Sequence, residues 1–520
     1  CYERNYEVLR WLGITTTQAT YLPYAPAEII RASNIHKFSY GLYNPPGYIF
    51  TYAPGNPVGA SPQLPDAAGL AAWAQSQVDT FLAAGYTDIS KFTHFKMADE
   101  PGAYQPNELE AINKPFSSAT PGMRDEATRQ LFLKNFRDYL QGQGLSPSNV
   151  GYGSFDAVPG PIGRSKEKGT LTERTLYYWS MRWFAYISSK LFADSSDALR
   201  KKIPGIHVET NWNHFSGLLF RGGTFGNSNH PDSGMITHDW HEMGRLGGFT
   251  GSADYVYEFV ISNHNLRLAS AAREHPQGKI ANDVITFGSE HLKGALLKKA
   301  MSQIARGGDR LLYYVFGPAN VFKDGDAESI VRGPYGVSDR LRISKWLYET
   351  ENDLLAGKPP LPTVAVVAPR SAQMFNNSTS VNDVTQGNWW TTSMDYFVEA
   401  LSLLTALTHV NIESEWMDED HLGDAEYLKR FKVIYLTTPC IPAEYQSTIS
   451  AWVNAGGTLV TFPGAGTYDR HNNPTTGISS ISGITESAHT RQEQGNLATT
   501  QTFFPITGNT GDLLSIYPTT

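Results

Sequence analysis

Apolar and polar positions along the first two-thirds of the chain alternate between two rhythms. Segments with apolar residues three and four apart are followed by short runs rich in β-branched and aromatic residues. The helical rhythm covers residues 6–12, 26–32, 67–84, 124–140 and 172–192. The strand-like runs are residues 14–20, 37–43, 92–98, 150–154, 206–210, 255–260, 280–287 and 311–316. A further helix over 291–305 stops at Gly307-Gly308, where glycine can take the left-handed conformation that ends a helix. Helix and strand in regular succession predict parallel strands joined by helical crossovers.

The count is seven or eight strands, depending on whether residues 150–154 belong to the sheet. It predicts a (β/α)₈ TIM barrel over residues 1–356. A chain opening on a helix leaves the barrel's first strand missing or upstream of Cys1. Gly357-Lys358-Pro359-Pro360-Leu361-Pro362 then reads as a linker. Beyond it, strands at 363–368, 410–413, 433–437 and 458–462 alternate with helices at 394–408 and 445–455. That pattern predicts a flavodoxin-like α/β domain over 363–470. Residues 471–520, rich in Thr, Gly, Ser and Asn, read as loops or the start of a β-domain.

Bulk properties narrow the function. The 520 residues hold no apolar run of the ~18 residues that a spanning helix needs, so no membrane span is expected. A net charge of −8 leaves no broad basic footprint, which excludes nucleic acid as the main partner. Two cysteines, Cys1 and Cys440, build neither a disulfide framework nor a cysteine-rich metal site. Cys440 lies between Pro439 and Ile441-Pro442, and a nucleophile elbow needs small residues there, so the thiol is expected to be inert.

A barrel enzyme gathers its chemistry where strands end and loops begin. Asp99-Glu100-Pro101-Gly102 sets two carboxylates at a strand exit with an immediate turn. Glu209-Thr210-Asn211-Trp212 ends another strand, and Glu258 and Glu290 accompany two more. Two carboxylates across a barrel mouth can cleave a glycosidic bond, one protonating the leaving oxygen and the other attacking the anomeric carbon or activating water. An acid before a turn also serves as a plain helix N-cap. Asp99, Glu209, Asn211, Trp212, Trp240 and His241 are candidates to bind the sugar, and Trp389-Trp390 offers a further aromatic platform. Histidines also occur at 94, 207, 214, 238, 264 and 291. His238-Asp239-Trp240-His241 matches no standard zinc spacing, so neither metal nor cofactor is expected.

These segments resemble the family 42 β-galactosidases of the clan A glycoside hydrolases over roughly residues 6–470. The carriers are residues 176–211, Asp239-Trp240-His241-Glu242-Met243-Gly244-Arg245, residues 305–317, and residues 433–462 with Asn454-Ala455-Gly456-Gly457. The resemblance implies that residues 14–20 are strand two and residues 92–98 strand four. It implies Glu100 as acid/base and Glu290 as nucleophile, with Glu258 competing if the count slips by one. It also implies an amidotransferase-like domain that assembles trimers, an oligo- or polysaccharide substrate, and a secreted, periplasmic or surface location. The sequence departs from the family in having Asp99 where Asn usually precedes the acid/base, and it lacks the cysteines of the family's structural zinc. Other readings remain: another clan A activity, a non-catalytic carbohydrate-binding scaffold, or a histidine-based lyase or deacetylase.

Overall fold

The computed structural model describes residues 2–20, 27–43, 65–99, 110–115, 125–163, 166, 168–212, 240–247, 250–254, 258–276, 278, 280–285, 292–314, 333–357, 359–375, 395–484, 502–507 and 513–519. In chain order these give α1 (Tyr2–Trp11), β1 (Thr16–Thr20), α2 (Ala27–Ile35), β2 (Ser39–Tyr43), α3 (Ala67–Ala83) and β3 (Phe92–Asp99). Next come α4 (Glu126–Gly142), α5 (Leu171–Lys202), β4 (His207–Trp212), α6 (Trp240–Arg245), β5 (Thr250–Asp254) and α7 (Glu258–Ala272). The series ends with β6 (Ile280–Ile285), α8 (Ala295–Ala305), β7 (Arg310–Tyr314) and α9 (Gly333–Ala356). Strands β1 to β7 pair in parallel, each with its successor in the chain.

The sheet is curled into a barrel wall. In a flat sheet β7 and β3 would lie four strand spacings apart, roughly 19 Å. Instead Arg310 at the start of β7 donates to the Thr93 carbonyl of β3 at 3.4 Å. Helix α9 ties the two edges of the wall together. Arg340 donates to the Tyr313 hydroxyl of β7 at 3.0 Å and to the Gly13 carbonyl before β1 at 3.3 Å. Ser344, one turn further along α9, donates to the Leu12 carbonyl at 2.7 Å.

Alternation along the strands separates the two faces. Tyr40, Leu42, Phe95, Met97 and Val208 point outward and pack with Leu70, Ala74 and Phe81 of α3 and Leu268 of α7. The intervening positions carry His94, Lys96, His207 and Glu209, all buried. Helix α5, 32 residues long, adds Leu191, Phe192 and Leu199 to this packing, while its first half packs with α4 in a cluster that includes Tyr177, Trp183 and Phe184. It opens on a reciprocal cap in which Glu173 accepts from the Thr170 amide at 2.9 Å and Thr170 accepts in return.

Three expected strands fall elsewhere. Residues 150–154 are not in the sheet but run between two short 3₁₀ turns, Pro147–Val150 and Phe155–Ala157. The aromatic run expected at 255–260 yields to Thr250–Asp254, and Glu258 opens α7 instead. Gly251 there is paired with both Asn211 and Ala281, so the slot between β4 and β6 goes to a small-residue segment rather than to the stronger β-former. Residues 410–413 form a turn with Asn411 left-handed at φ 57°, and the strand begins at Ser414.

The second unit contains β8 (Val364–Val367), α10 (Arg370–Met374), α11 (Asp395–His409), β9 (Ser414–Met417), α12 (Ala425–Leu428), β10 (Val433–Leu436), α13 (Gln446–Asn454), β11 (Thr458–Thr461) and α14 (Gly477–Ser482). Its parallel order, β11-β10-β8-β9, is the flavodoxin-like arrangement. Cys440 is fully buried in an apolar cluster with Val366 and Leu404. The tail forms an antiparallel pair, β12 (Thr502–Thr507) with β13 (Leu513–Thr519).

The second sheet lies against barrel helices through a buried ionic layer. Asp418, at the exit of β9, receives Arg370 at 2.6 Å and Arg245 of α6. Asp420 receives Arg370 at 2.7 Å and Arg182 of α5 at 3.0 Å. Burial opposes the charge on both carboxylates, but the arginines prevail and hold both well below the usual range. Arg267 of α7 lies between the rings of Trp240 and Trp416, 4.9 and 5.1 Å from their centroids. Removing one partner strands the other buried charge, so Asp418→Ala should cost about 3–5 kcal/mol in urea unfolding. Lys134→Ala, which breaks the exposed Lys134–Asp138 pair, should cost less than about 1 kcal/mol.

Glu274, just beyond α7, accepts from His241 Nδ1 at 3.0 Å and His421 Nε2 at 2.8 Å. Burial raises its pKa, but the two histidine hydrogen bonds and their charge outweigh burial and hold it at about 2. Its stabilisation is therefore complete above the unfolded value of about 4.5 and is lost as pH falls through about 2. Acid titration of stability should show a loss on the order of 3 kcal/mol from this group. Glu274→Gln should remove that part of the acid limb.

Candidate functional site

The site is assembled on β3 and β4, whose sequences alternate apolar and polar residues. His94 pairs in register with His207, and Lys96 with Glu209. Between Lys96 and Asp99 the register shifts: Met97 and Ala98 stand against Thr210 alone, after which Asp99 lies beside Asn211. Such a bulge is common beside active sites and cancels the simple alternation of strand faces beyond it. The next pairs, Asn211 with Gly251 and Trp212 with Ser252, continue the rim onto β5. Asp99, Asn211 and Trp212 are therefore neighbours at the exit end of the barrel.

One step below the rim lies a tier of polar side chains that are all buried. His94 Nε2 is 3.1 Å from Glu209 Oε1, and the His94 and His207 rings stack with centroids 5.3 Å apart. Gly41 of β2 makes room, since a Cβ there would lie 2.9 Å from His94 Cδ2. Arg310 faces the same tier from β7. Burial lowers its pKa, with the charges of Asp309 and Glu209 opposing. A buried carboxylate needs such partners, because desolvation alone costs several kcal/mol per ion.

The remaining candidates fall elsewhere. Glu209 belongs to the buried tier, with its side chain 3% exposed, rather than to the open rim. Trp240 and His241 are committed to the interface between barrel and second sheet, Trp240 beneath Arg267 and His241 on Glu274. Glu258 is the first residue of α7. Glu100, Glu290 and Trp389-Trp390 lie outside the described residues, as do His214, His238 and His291.

The cross-strand assembly of His94, His207 and Glu209 was not read from the sequence. Its signal was the period-two placement of polar residues within otherwise apolar strands, at 94 and 96 and again at 207 and 209. Gly41→Ala should push the His94 ring aside and cost about 1–3 kcal/mol. Gly142, ending α4 with nothing within 4 Å of an added Cβ, supplies the control. Gly142→Ala should be neutral or stabilising by up to about 1 kcal/mol in the same chemical-denaturation assay.

No protein-family profile matches the chain, and no curated protein matches it. Solved structures do. A β-galactosidase from the psychrophilic Marinomonas ef1 superposes with a TM-score of 0.56 at 12% identity, covering 92% of this chain and 76% of that one. Gan42B, a GH42 β-galactosidase, gives 0.56 at 15% identity over 91% of this chain and 70% of its own. An exo-carrageenase GH42 from Bacteroides ovatus gives 0.53 at 11% identity over 89% and 64%. The fold of this chain is thus that of the family 42 β-galactosidases of clan A, a TIM barrel accompanied by a flavodoxin-like sheet.

Proposed function

We propose that the chain is a retaining glycoside hydrolase acting on a β-galactoside or a related galactan, with Glu100 as acid/base and Glu290 as nucleophile. The observation that carries this reading is the exit of β3, where Asp99 lies beside Asn211 and Glu100 is the next residue. On a parallel barrel that is where a catalytic carboxylate belongs.

With β3 as the fourth barrel strand, β6 becomes the seventh, and Glu290 follows its last residue, Ile285, by five positions. Helix α8 begins only at Ala295, behind a left-handed Gly294, so Glu290 precedes its first turn. Glu258 follows β5, the sixth strand in this count, and opens a helix whose amino end favours a negative charge without chemistry. In the reaction Glu100 protonates the leaving oxygen as Glu290 attacks the anomeric carbon. Glu100 then takes a proton from the water that releases the sugar.

Activity should be screened on aryl β-galactosides, neutral galactans and sulfated galactans, the last because the fold is shared with an exo-carrageenase. Glu100→Gln should lower turnover by roughly 100-fold or more on substrates with poor leaving groups, and far less on activated aryl glycosides. Asp99→Asn should cost less than Glu100→Gln. Loss of activity in Asp99→Asn with a near-silent Glu100→Gln would refute the assignment.

A further inference from the structure

We propose that His94, His207 and Glu209 form a site for a divalent transition-metal ion of the zinc class, enclosed in the barrel beneath the rim. Each offers one ligand atom, all three are buried, and these atoms lie within 4.8 Å of one another. Tetrahedral coordination at zinc–nitrogen and zinc–oxygen distances near 2.0–2.2 Å spaces neighbouring ligand atoms by about 3.3 Å. The 3.1 Å between His94 Nε2 and Glu209 Oε1 already matches one such edge. The other ligand-atom separations, at most 4.8 Å, would have to close by up to about 1.5 Å.

The donor set decides the class of ion. Two imidazoles and one carboxylate suit zinc, cobalt, nickel or iron(II), whereas calcium and magnesium call for oxygen alone. Three protein ligands leave a position for water. Sequence spacing did not suggest the site because its ligands come from two strands that meet only through the parallel register of His94 with His207.

Positions around the cluster are consistent with an ion held there. Gly41 leaves the His94 ring its room, and β3 and β4 fix the ligand backbones as hydrogen-bonded neighbours. Lys96 and Arg310 are the cations of the tier, and they set a cost that the ion must outweigh. Arg310 donates to the Thr93 carbonyl on the entrance side of β3 while remaining within electrostatic reach of Glu209. Only neutral imidazole ligates, so affinity should fall as pH falls.

The test is to strip the full chain with a chelator and titrate it with Co²⁺, following visible d–d absorption, then to displace the cobalt with Zn²⁺. A single equivalent per chain and a low-symmetry nitrogen–oxygen spectrum are expected. His207→Gln and Glu209→Gln, checked for folding by circular dichroism, should weaken binding by more than roughly tenfold. X-ray absorption on the zinc-loaded wild type, independent of any variant, should show imidazole scattering with oxygen ligands. The proposal is overturned if the wild type takes up no stoichiometric ion. It is equally overturned if folded variants bind as the wild type does, or if absorption shows no imidazole.

Discussion

Seven strands pair in parallel in the order in which they are made, so every strand must leave the sheet at the same end. That constraint places Asp99, Asn211 and Trp212 side by side although more than a hundred residues separate β3 from β4. It also forces each strand to present one face to the helices and one to the barrel axis. The helical side takes the aromatic and aliphatic positions, and the axis takes His94, Lys96, His207 and Glu209. Arg340, bridging Tyr313 and the carbonyl of Gly13, keeps the first and last described strands together. The rim and the tier beneath it depend on that curvature.

A second consequence is the treatment of charge away from the axis. Helices α5, α6 and α7 turn one face to the barrel wall and another to the second sheet. On the latter face arginines and carboxylates interleave, with Asp418 and Asp420 held ionised by Arg370, Arg245 and Arg182. Ion pairs of this kind contribute little net stability over a well-packed apolar contact, but they penalise any misaligned docking heavily. Cys440, next to the buried strand exits of the second sheet, is enclosed in an apolar cluster with Val366 and Leu404.

Much of the fold was legible in the sequence, because helices and central strands announce themselves through period and through stop signals such as Gly307-Gly308. What misled was local propensity without tertiary context. The run from Tyr255 to Val260 has a stronger β-character than Thr250–Asp254, yet the sheet selects the small residues that fit beside Asn211 and Ala281. Val410 and Ile412 have the residue type of a strand but are exposed, and the strand is Ser414–Met417. Of the candidate site, Asp99, Asn211 and Trp212 could be placed together because strand ends are readable. The partnership of His94 with Glu209 could not, since cross-strand register leaves no mark on either segment alone. Trp240 and His241 had the composition of a sugar site, but composition does not distinguish a pocket from a domain interface.

The proposed covalent two-carboxylate mechanism, with Glu290 as nucleophile, is tested most directly by trapping the intermediate. The protein would be incubated with an activated 2-deoxy-2-fluoro-β-galactoside, whose fluorine slows hydrolysis of a glycosyl-enzyme more than its formation. Intact-mass and peptide analysis would then locate the adduct. A single fluorogalactosyl group on the peptide containing Glu290, absent in Glu290→Gln, is the expected result. An adduct on Glu258, or turnover with inversion and no adduct at all, would contradict it.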